Sequence, residues 1–404
     1  MKIHRSTSEA VITSLQMIFE ERRYADKVIE KVLKQNPRWG SRDRRFIAET
    51  TYDIVRWYRW YRAISDAEEA DYWKLLGVWC VLNGVALPPW PEFKRLSSHD
   101  IQERRRNPAF ERKVRESIPD WLDDLGRTEL GEERWSEELR ALNKEASVVL
   151  RANTLKTTSV ALRDRLAAEG IITRSLPEFA DAIVLETRQN IFSSAAFKQG
   201  LFEVQDAGSQ LIAPYLRVEP GMRVIDACAG AGGKTLHLAA LMKNKGRIIA
   251  MDTETWKLDE LHKRARRAGA TNIETRVITS AKTIKRLAGS ADRVLLDVPC
   301  SGLGVLKRNP DAKWKLTPDF VDKIRELQRQ ILTDYTRMVK PGGMLVYSTC
   351  SLLPSENERQ VARFLEGHPE FFLREEKHVY PTEGFDGFYM ALLARRADQT
   401  SSAS

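Results

Sequence analysis

Two cysteines stand where a nucleophile would be useful. Cys300 follows the segment DRVLLDVP and Cys350 follows MLVYST. In each, a run of aliphatic and β-branched residues ends close before the thiol, so each cysteine is expected just beyond the carboxyl end of a strand. Open α/β sheets bind ligands in the crevice outside those ends, which brings both thiols toward one crevice. A free cysteine by itself is more often a small buried hydrophobe than a reactive group. Two placed independently at strand termini, one of them beside Asp297, favour chemistry instead, because a thiolate nucleophile divides one difficult step into two.

A glycine loop, AGAGGKT, lies upstream of both. A Walker A loop needs glycine four residues before Gly233-Lys234-Thr235, and that position is Cys228, so phosphate cradling is not expected. The dinucleotide pattern GxGxxG finds Gly230 and Gly232, but its third glycine falls on Thr235. The setting carries more than the loop does. Asp226 ends the strand before the turn, and Asp252 ends the next strand, twenty residues after Gly232. A carboxylate there accepts from both hydroxyls of a ribose, while a loop without side chains lets a ligand lie against the backbone. The pair fits an adenosine ligand that needs no pyrophosphate, and S-adenosylmethionine is such a ligand. The competing reading is a glycine turn that serves only strand-helix packing.

A thiol pair suits one methyl transfer in particular. C5 of cytosine is a poor nucleophile toward a sulfonium methyl, but thiolate addition at C6 makes an enamine whose C5 attacks. The adduct needs a proton or a hydrogen bond at N3, a task for Asp297. The C5 proton must then leave before the first thiol is eliminated, a task for a second thiol.

At these residues the chain resembles a known family. DACAGAGGKT, LLDVPCSGLGVLKRNPDAKW and YSTCSLLPSENE are similar to the successive motifs of RNA cytosine-5 methyltransferases, a family of bacterial 16S ribosomal RNA enzymes and eukaryotic nucleolar relatives. The likeness runs back through LRANTLK and FEVQDAGSQL and forward to GFDGFYMALLARR, about 250 residues. It implies that Cys350 attacks C6 and that Cys300 assists product release, whereas DNA cytosine-5 enzymes use the P-C cysteine as nucleophile. It also implies that Cys228, Ala229, Gly230, Ala231, Gly232, Gly233, Lys234, Asp252 and Asp297 contact S-adenosylmethionine, with Lys234 near the methionine end and Cys228 contributing backbone. Two departures stand out. The family's usual loop proline is Ala231, and its acidic residue after the third strand is absent from VITSAKT, which leaves Ser280 or a backbone carbonyl for the adenine amine.

The elements that must position these residues follow from periodicity. From Asp206 onward β-like and α-like segments alternate, which calls for an α/β fold with a doubly wound, mostly parallel sheet; the resemblance makes it a class I, Rossmann-like methyltransferase sheet spanning 206–396. Shorter units over 141–205 read as a small α+β module, similar to the RNA-recognition-motif-like (RRM-like) domain of the family. Residues 1–140 read as helices, with apolar positions at Val11, Ile12, Leu15, Ile18, Phe19 and again at Ile47, Ile54, Val55, Tyr58, Tyr61, and with Thr7 and Ser41 as N-caps. In position and size this region is similar to the NusB-type RNA-binding domain. The tail 397–404 is expected to be disordered.

Of the 404 residues, 65 are Lys or Arg and 56 Asp or Glu, a net charge of +9, which favours a polyanionic partner. RNA is that partner in the resemblance. Arg56 and Arg59 share a helix face opposite the aromatic seam, with Arg42, Arg44 and Arg45 before them, and are read as phosphate contacts; a solvated basic face over a buried seam gives the same pattern. Arg151, Lys156, Lys307 and Arg308 complete the candidate RNA contacts. The four cysteines form no CxxC pair and no His-rich cluster, so no metal site is expected and a reducing cytoplasm fits. No apolar run approaches the ~20 residues of a membrane span. A monomeric RNA (cytosine-5-)-methyltransferase acting on 16S ribosomal RNA is expected. Transfer RNA methylation and a catalytically idle ribosome assembly factor are the alternatives; retention of Cys300, Cys350 and Asp297 argues against the second.

Overall fold

The computed structural model describes residues 3–397, so the expected disordered tail lies, from residue 398, outside the described residues. Residues 3–144 form one compact unit with Leu306–Pro318, and Glu145–Val305 forms another with residues 319–397.

In the first unit the regular elements are helical. Helices Arg5–Phe19, Ser41–Arg56 and Tyr72–Leu82 bury Val11, Leu15, Ile47, Ile54, Leu75 and Leu76 in one core, as the three- and four-residue spacing requires. Neither expected N-cap holds. Thr7 lies inside its helix and donates to the His4 carbonyl (3.0 Å), and Ser41 is the first helical residue after Gly40, whose N–H donates to Asp43 (3.2 Å). The seam read as one helix is broken at Trp57 into Ser41–Arg56 and Tyr58–Ser65, with Ile54, Val55, Tyr58 and Tyr61 all still buried. Leu306–Pro318, which periodicity placed in the catalytic domain, packs instead in the helical unit. The Trp314 indole meets the edge of Tyr58 (5.6 Å between centroids) and donates to the Val55 carbonyl (2.8 Å), while Asp311 accepts from the Ala25 N–H (3.1 Å).

The second unit holds two sheets. Strands β1 (Val149–Ala152), β2 (Thr173–Ser175), β3 (Ala182–Leu185) and β4 (Phe202–Val204) form an antiparallel sheet in the order β2-β3-β1-β4. Helix Ser159–Ala168, capped by the Thr158 hydroxyl on Ala161 N–H (3.2 Å), covers its core of Leu150, Leu162, Leu166, Ile183 and Phe202.

The larger sheet contains β5 (Arg223–Asp226), β6 (Arg247–Asp252), β7 (Ile273–Val277), β8 (Ala291–Asp297), β9 (Val339–Thr349), β10 (Phe371–Val379) and β11 (Phe388–Arg395), in the order β10-β11-β9-β8-β5-β6-β7. Strands β5 to β9 pair in parallel, and β11 and β10 close one side antiparallel. Successive residues serve opposite faces: Ile225, Ile249, Val294 and Leu345 enter one core, while Val224, Ile248, Leu295 and Val346 enter the other. Burial on both faces is why these strands read as unbroken aliphatic runs. Strand β10 was not legible in sequence because it is an edge strand whose residues Arg374, Glu375, Glu376 and Lys377 show no apolar alternation. The doubly wound α/β class is therefore the fold observed, and its strand order reverses between β5 and β8. Among the described residues no helix is long and apolar enough to cross a membrane.

Candidate active site

The reversal between β5 and β8 puts four strand ends side by side: Asp226 on β5, Asp252 on β6, Asp297 on β8 and Thr349, just before Cys350, on β9. The glycine loop lies between Asp226 and helix Gly233–Leu241. Its turn is closed by Gly232 N–H on the Ala229 carbonyl (2.9 Å), and Ala229 N–H donates to Met251 on β6 (2.9 Å). Gly232 sits at φ +87°, where an added Cβ would lie 2.5 Å from the Leu261 side chain, so only glycine fits. Gly230, at φ +53°, has open space where its Cβ would be and donates its N–H to Asp252 Oδ2 (2.9 Å).

One ion pair and one buried carboxyl flank the loop. Lys234 Nζ donates to Asp297 Oδ2 (2.6 Å), while Asp297 Oδ1 accepts from Ser348 (2.9 Å). Burial alone would lower the Lys234 pKa, but the Asp297 charge and hydrogen bond outweigh it and raise it. Asp226 is 1% exposed, and burial pushes its carboxyl up to about 7. Its Oδ2 accepts from Thr235 (2.7 Å), and its Oδ1 has no hydrogen-bond partner. A buried oxygen without a partner, an open glycine in the following loop and Asp252 on the neighbouring strand fit a ligand carrying an ammonium and a ribose diol, two of the polar groups of S-adenosylmethionine. Cys228 adds no reactive thiol, since burial holds its pKa well above the ordinary value. Ser280 is exposed and its side chain caps no helix.

The thiols meet. Cys300 Sγ lies 3.2 Å from Cys350 Sγ, and the Cys350 N–H donates to Cys300 Sγ (3.3 Å). The hydrogen bond with Cys350, then burial, holds the Cys300 thiol well above its ordinary pKa. The pair is clamped from below by a residue that the sequence reading gave no role. Glu356, fully buried, accepts from Ser301 N–H (2.8 Å), the Ser351 hydroxyl (2.6 Å) and Gln328 Nε2 (2.9 Å). The two serines, each following a cysteine, also touch (3.1 Å). Asn357 donates to the Ser351 carbonyl (3.0 Å), and Gly304 N–H donates to the Cys350 carbonyl (2.9 Å). The repeated Cys-Ser pair was the available signal, but it named no acceptor for the serines.

Most of the candidate RNA contacts are engaged with the protein's own backbone. Arg56 is 6% exposed and donates to the carbonyls of Leu142 (3.3 Å) and Lys307 (2.9 Å); it is a buried bridge between segments, not part of a solvated face. Arg59 donates to the Ile118 carbonyl and pairs with Asp120, both at 2.7 Å. Arg151 is 3% exposed and donates to the Gly233 carbonyl (2.7 Å), Lys156 donates to the Gln199 and Arg267 carbonyls (2.8 and 2.7 Å), and Lys307 is buried. Arg308, like Arg59, is half-exposed. Helical spacing could not anticipate this, because the groups that cover Arg56 come from residues 250 positions away. Arg104, Arg105 and Arg106, at the end of helix Ser98–Arg106, are exposed.

Comparison with known proteins adds a family. Residues 213–394 match the model described as 16S rRNA methyltransferase RsmB/F, and residues 118–192 match the RsmF/B-like ferredoxin-like domain. A Synechocystis protein named probable ribosomal RNA small subunit methyltransferase B is 32% identical, over 86% of each chain. The solved structure of PH0851 superposes with TM-score 0.82 at 26% identity, covering 97% of this chain and 99% of its own. A methyltransferase homolog from Pyrococcus horikoshii gives TM-score 0.63 at 29% identity, over 72% of this chain and 99% of its own.

Proposed function

The chain belongs to the RsmB/F family of 16S rRNA methyltransferases, and on that premise we propose that it methylates C5 of a cytosine in small-subunit ribosomal RNA through a bond between Cys350 and C6, released with help from Cys300. The observation that carries this reading is the 3.2 Å separation of two thiols borne beyond neighbouring parallel strands, β8 and β9. S-adenosylmethionine is the methyl donor and supplies an electrophilic carbon when bound.

The residues divide the work by where each holds a proton. Cys300, whose thiol is held up in pKa, keeps its proton during the attack, which leaves Cys350 as the sulfur that adds to the base. Cys350 Sγ adds to C6 as N3 takes a proton from solvent, and the C5=C6 electron pair becomes available at C5. Asp297, with Lys234 and Ser348 already on its oxygens, retains lone pairs to accept a hydrogen bond from that protonated N3. After C5 has gained its methyl, Cys300, its own proton having passed to solvent, takes the C5 proton. A thiol with a raised pKa is a strong base once ionised. The C5=C6 bond re-forms, the C6–S bond breaks, Cys350 leaves as thiolate and N3 returns its proton to solvent. The target base has to be unpaired or flipped to meet both sulfurs, and the exposed arginines at 104–106 are suited to RNA phosphates.

The test separates the two thiols. Cys350→Ser should abolish methyl transfer, and Cys300→Ser should accumulate a denaturation-resistant protein-RNA adduct that disappears in the double variant. An adduct that forms with Cys350→Ser and not with Cys300→Ser would reverse the roles, and turnover insensitive to both would remove the covalent mechanism. Bisulfite mapping of small-subunit ribosomal RNA with and without the gene identifies the nucleotide.

A further inference from the structure

The small antiparallel sheet reaches into the glycine loop. On β1, Arg151 is 3% exposed and its Nη1 donates to the Gly233 carbonyl at 2.7 Å. Directly across the sheet on β4, in register with Arg151, Glu203 is 4% exposed. One Glu203 oxygen accepts from Arg264 (2.9 and 3.2 Å) and the other from Arg267 (2.6 Å). Arg264 in turn donates from Nη1 to the Ala231 carbonyl at 2.7 Å. Both carbonyls that flank Gly232 are therefore held by guanidinium groups, one carried by the small sheet and one oriented by it.

Such contacts are costly to build. Arg151 is out of water, and burial drags its pKa down to about 10 against the opposing charge of Glu203. Buried charges persist where they are paired and hydrogen-bonded, and these are spent on the backbone of one loop. In a peptide plane the carbonyl and the following N–H point in opposite directions. Holding Ala231 O and Gly233 O thus fixes the direction of the Gly232 and Lys234 amides and leaves the loop its one geometry.

We propose that Arg151 and Glu203 are positioning residues for the cofactor, so that the small sheet braces the S-adenosylmethionine loop. The proposal rests on the reading that this loop holds that cofactor. Neither side chain belongs to the loop or to the thiol pair; each acts through a loop carbonyl. A change in the small sheet is thereby transmitted to cofactor affinity.

The test uses the full chain and S-adenosylhomocysteine as the calorimetric probe. Glu203→Gln and Arg151→Lys, each verified as folded by its melting curve, should weaken binding about tenfold and raise KM for S-adenosylmethionine by a similar factor, with a smaller change in kcat. Val160→Ser, on the exposed side of helix Ser159–Ala168 in the same module, should leave the dissociation constant unchanged. The two variants report independently, so misfolding of one leaves the other decisive. Wild-type affinity in a folded Glu203→Gln or Arg151→Lys protein, or a fall in kcat with KM unchanged, overturns the brace. Wild-type protein that fails to bind S-adenosylhomocysteine overturns the cofactor reading itself and the brace with it.

Discussion

Replacing Glu356 with alanine should loosen both cysteine turns at once, and the cost can be worked from its three hydrogen bonds. The Ser301 N–H loses the acceptor that the structure gives it, about 1–3 kcal/mol for an orphaned buried donor. Gln328 Nε2 keeps the Pro299 carbonyl (2.9 Å), and the Ser351 hydroxyl keeps Ser301 Oγ (3.1 Å), so each forfeits only about 0.5–1.5 kcal/mol. The side chain is fully buried, so truncation also leaves a cavity. The three hydrogen bonds sum to about 2–6 kcal/mol, a large part of the 5–15 kcal/mol typical of a native protein, and at about 2–4 °C per kcal/mol for a unit of this size the change lowers the melting temperature by ~10 °C. Glu356→Gln keeps the volume and one acceptor oxygen, and the Ser351 hydroxyl can turn to accept, so its cost should be about 1–2 kcal/mol. Thermal unfolding followed by near-ultraviolet circular dichroism measures both. In Cys300→Ser protein the alanine change should also slow adduct formation, because the Cys350 turn is no longer held. An alanine variant within about 1 kcal/mol of wild type would refute the clamp.

Asp226 gives a pH dependence whose sign is fixed by its raised carboxyl. Its pKa of about 7 in the folded chain exceeds the unfolded ~3.9, so its stabilising contribution is complete below about pH 4 and is lost as pH rises through 7. Urea unfolding at pH 5 and pH 8 should show that loss, of a few kcal/mol at most, and Asp226→Asn should flatten it; identical slopes for the two proteins would contradict the assignment. At Asp252, which accepts from Gly230 and Glu254 N–H groups (both 2.9 Å), alanine should weaken S-adenosylhomocysteine binding by about 1–3 kcal/mol. Unchanged affinity by calorimetry would remove Asp252 from the cofactor site.

The parts of this protein that were legible in its sequence are those written in local signals. Aliphatic runs such as RVID and RIIAMD announce strands buried on both faces, Gly230 and Gly232 announce a turn with positive φ, and the positions of Cys300 and Cys350 after two such runs place them at strand ends. These are statements about one segment at a time, and chain geometry carries them into the doubly wound sheet. What the tertiary structure alone decided are pairings between segments far apart in sequence. Arg56 looks like a surface arginine until residues 306–307 cover it, and Arg151 looks like a phosphate contact until the Gly233 carbonyl takes its guanidinium. Glu356 reads as one acidic residue among many until Ser301, Ser351 and Gln328 converge on it. A buried polar group must find partners wherever the fold brings them, and periodicity along one element holds no record of which distant backbone will arrive. The sequence by itself therefore determined the strands, the glycine turn and the thiols at their ends; the fold decided which charges face water, which hold backbone and how closely the two sulfurs approach.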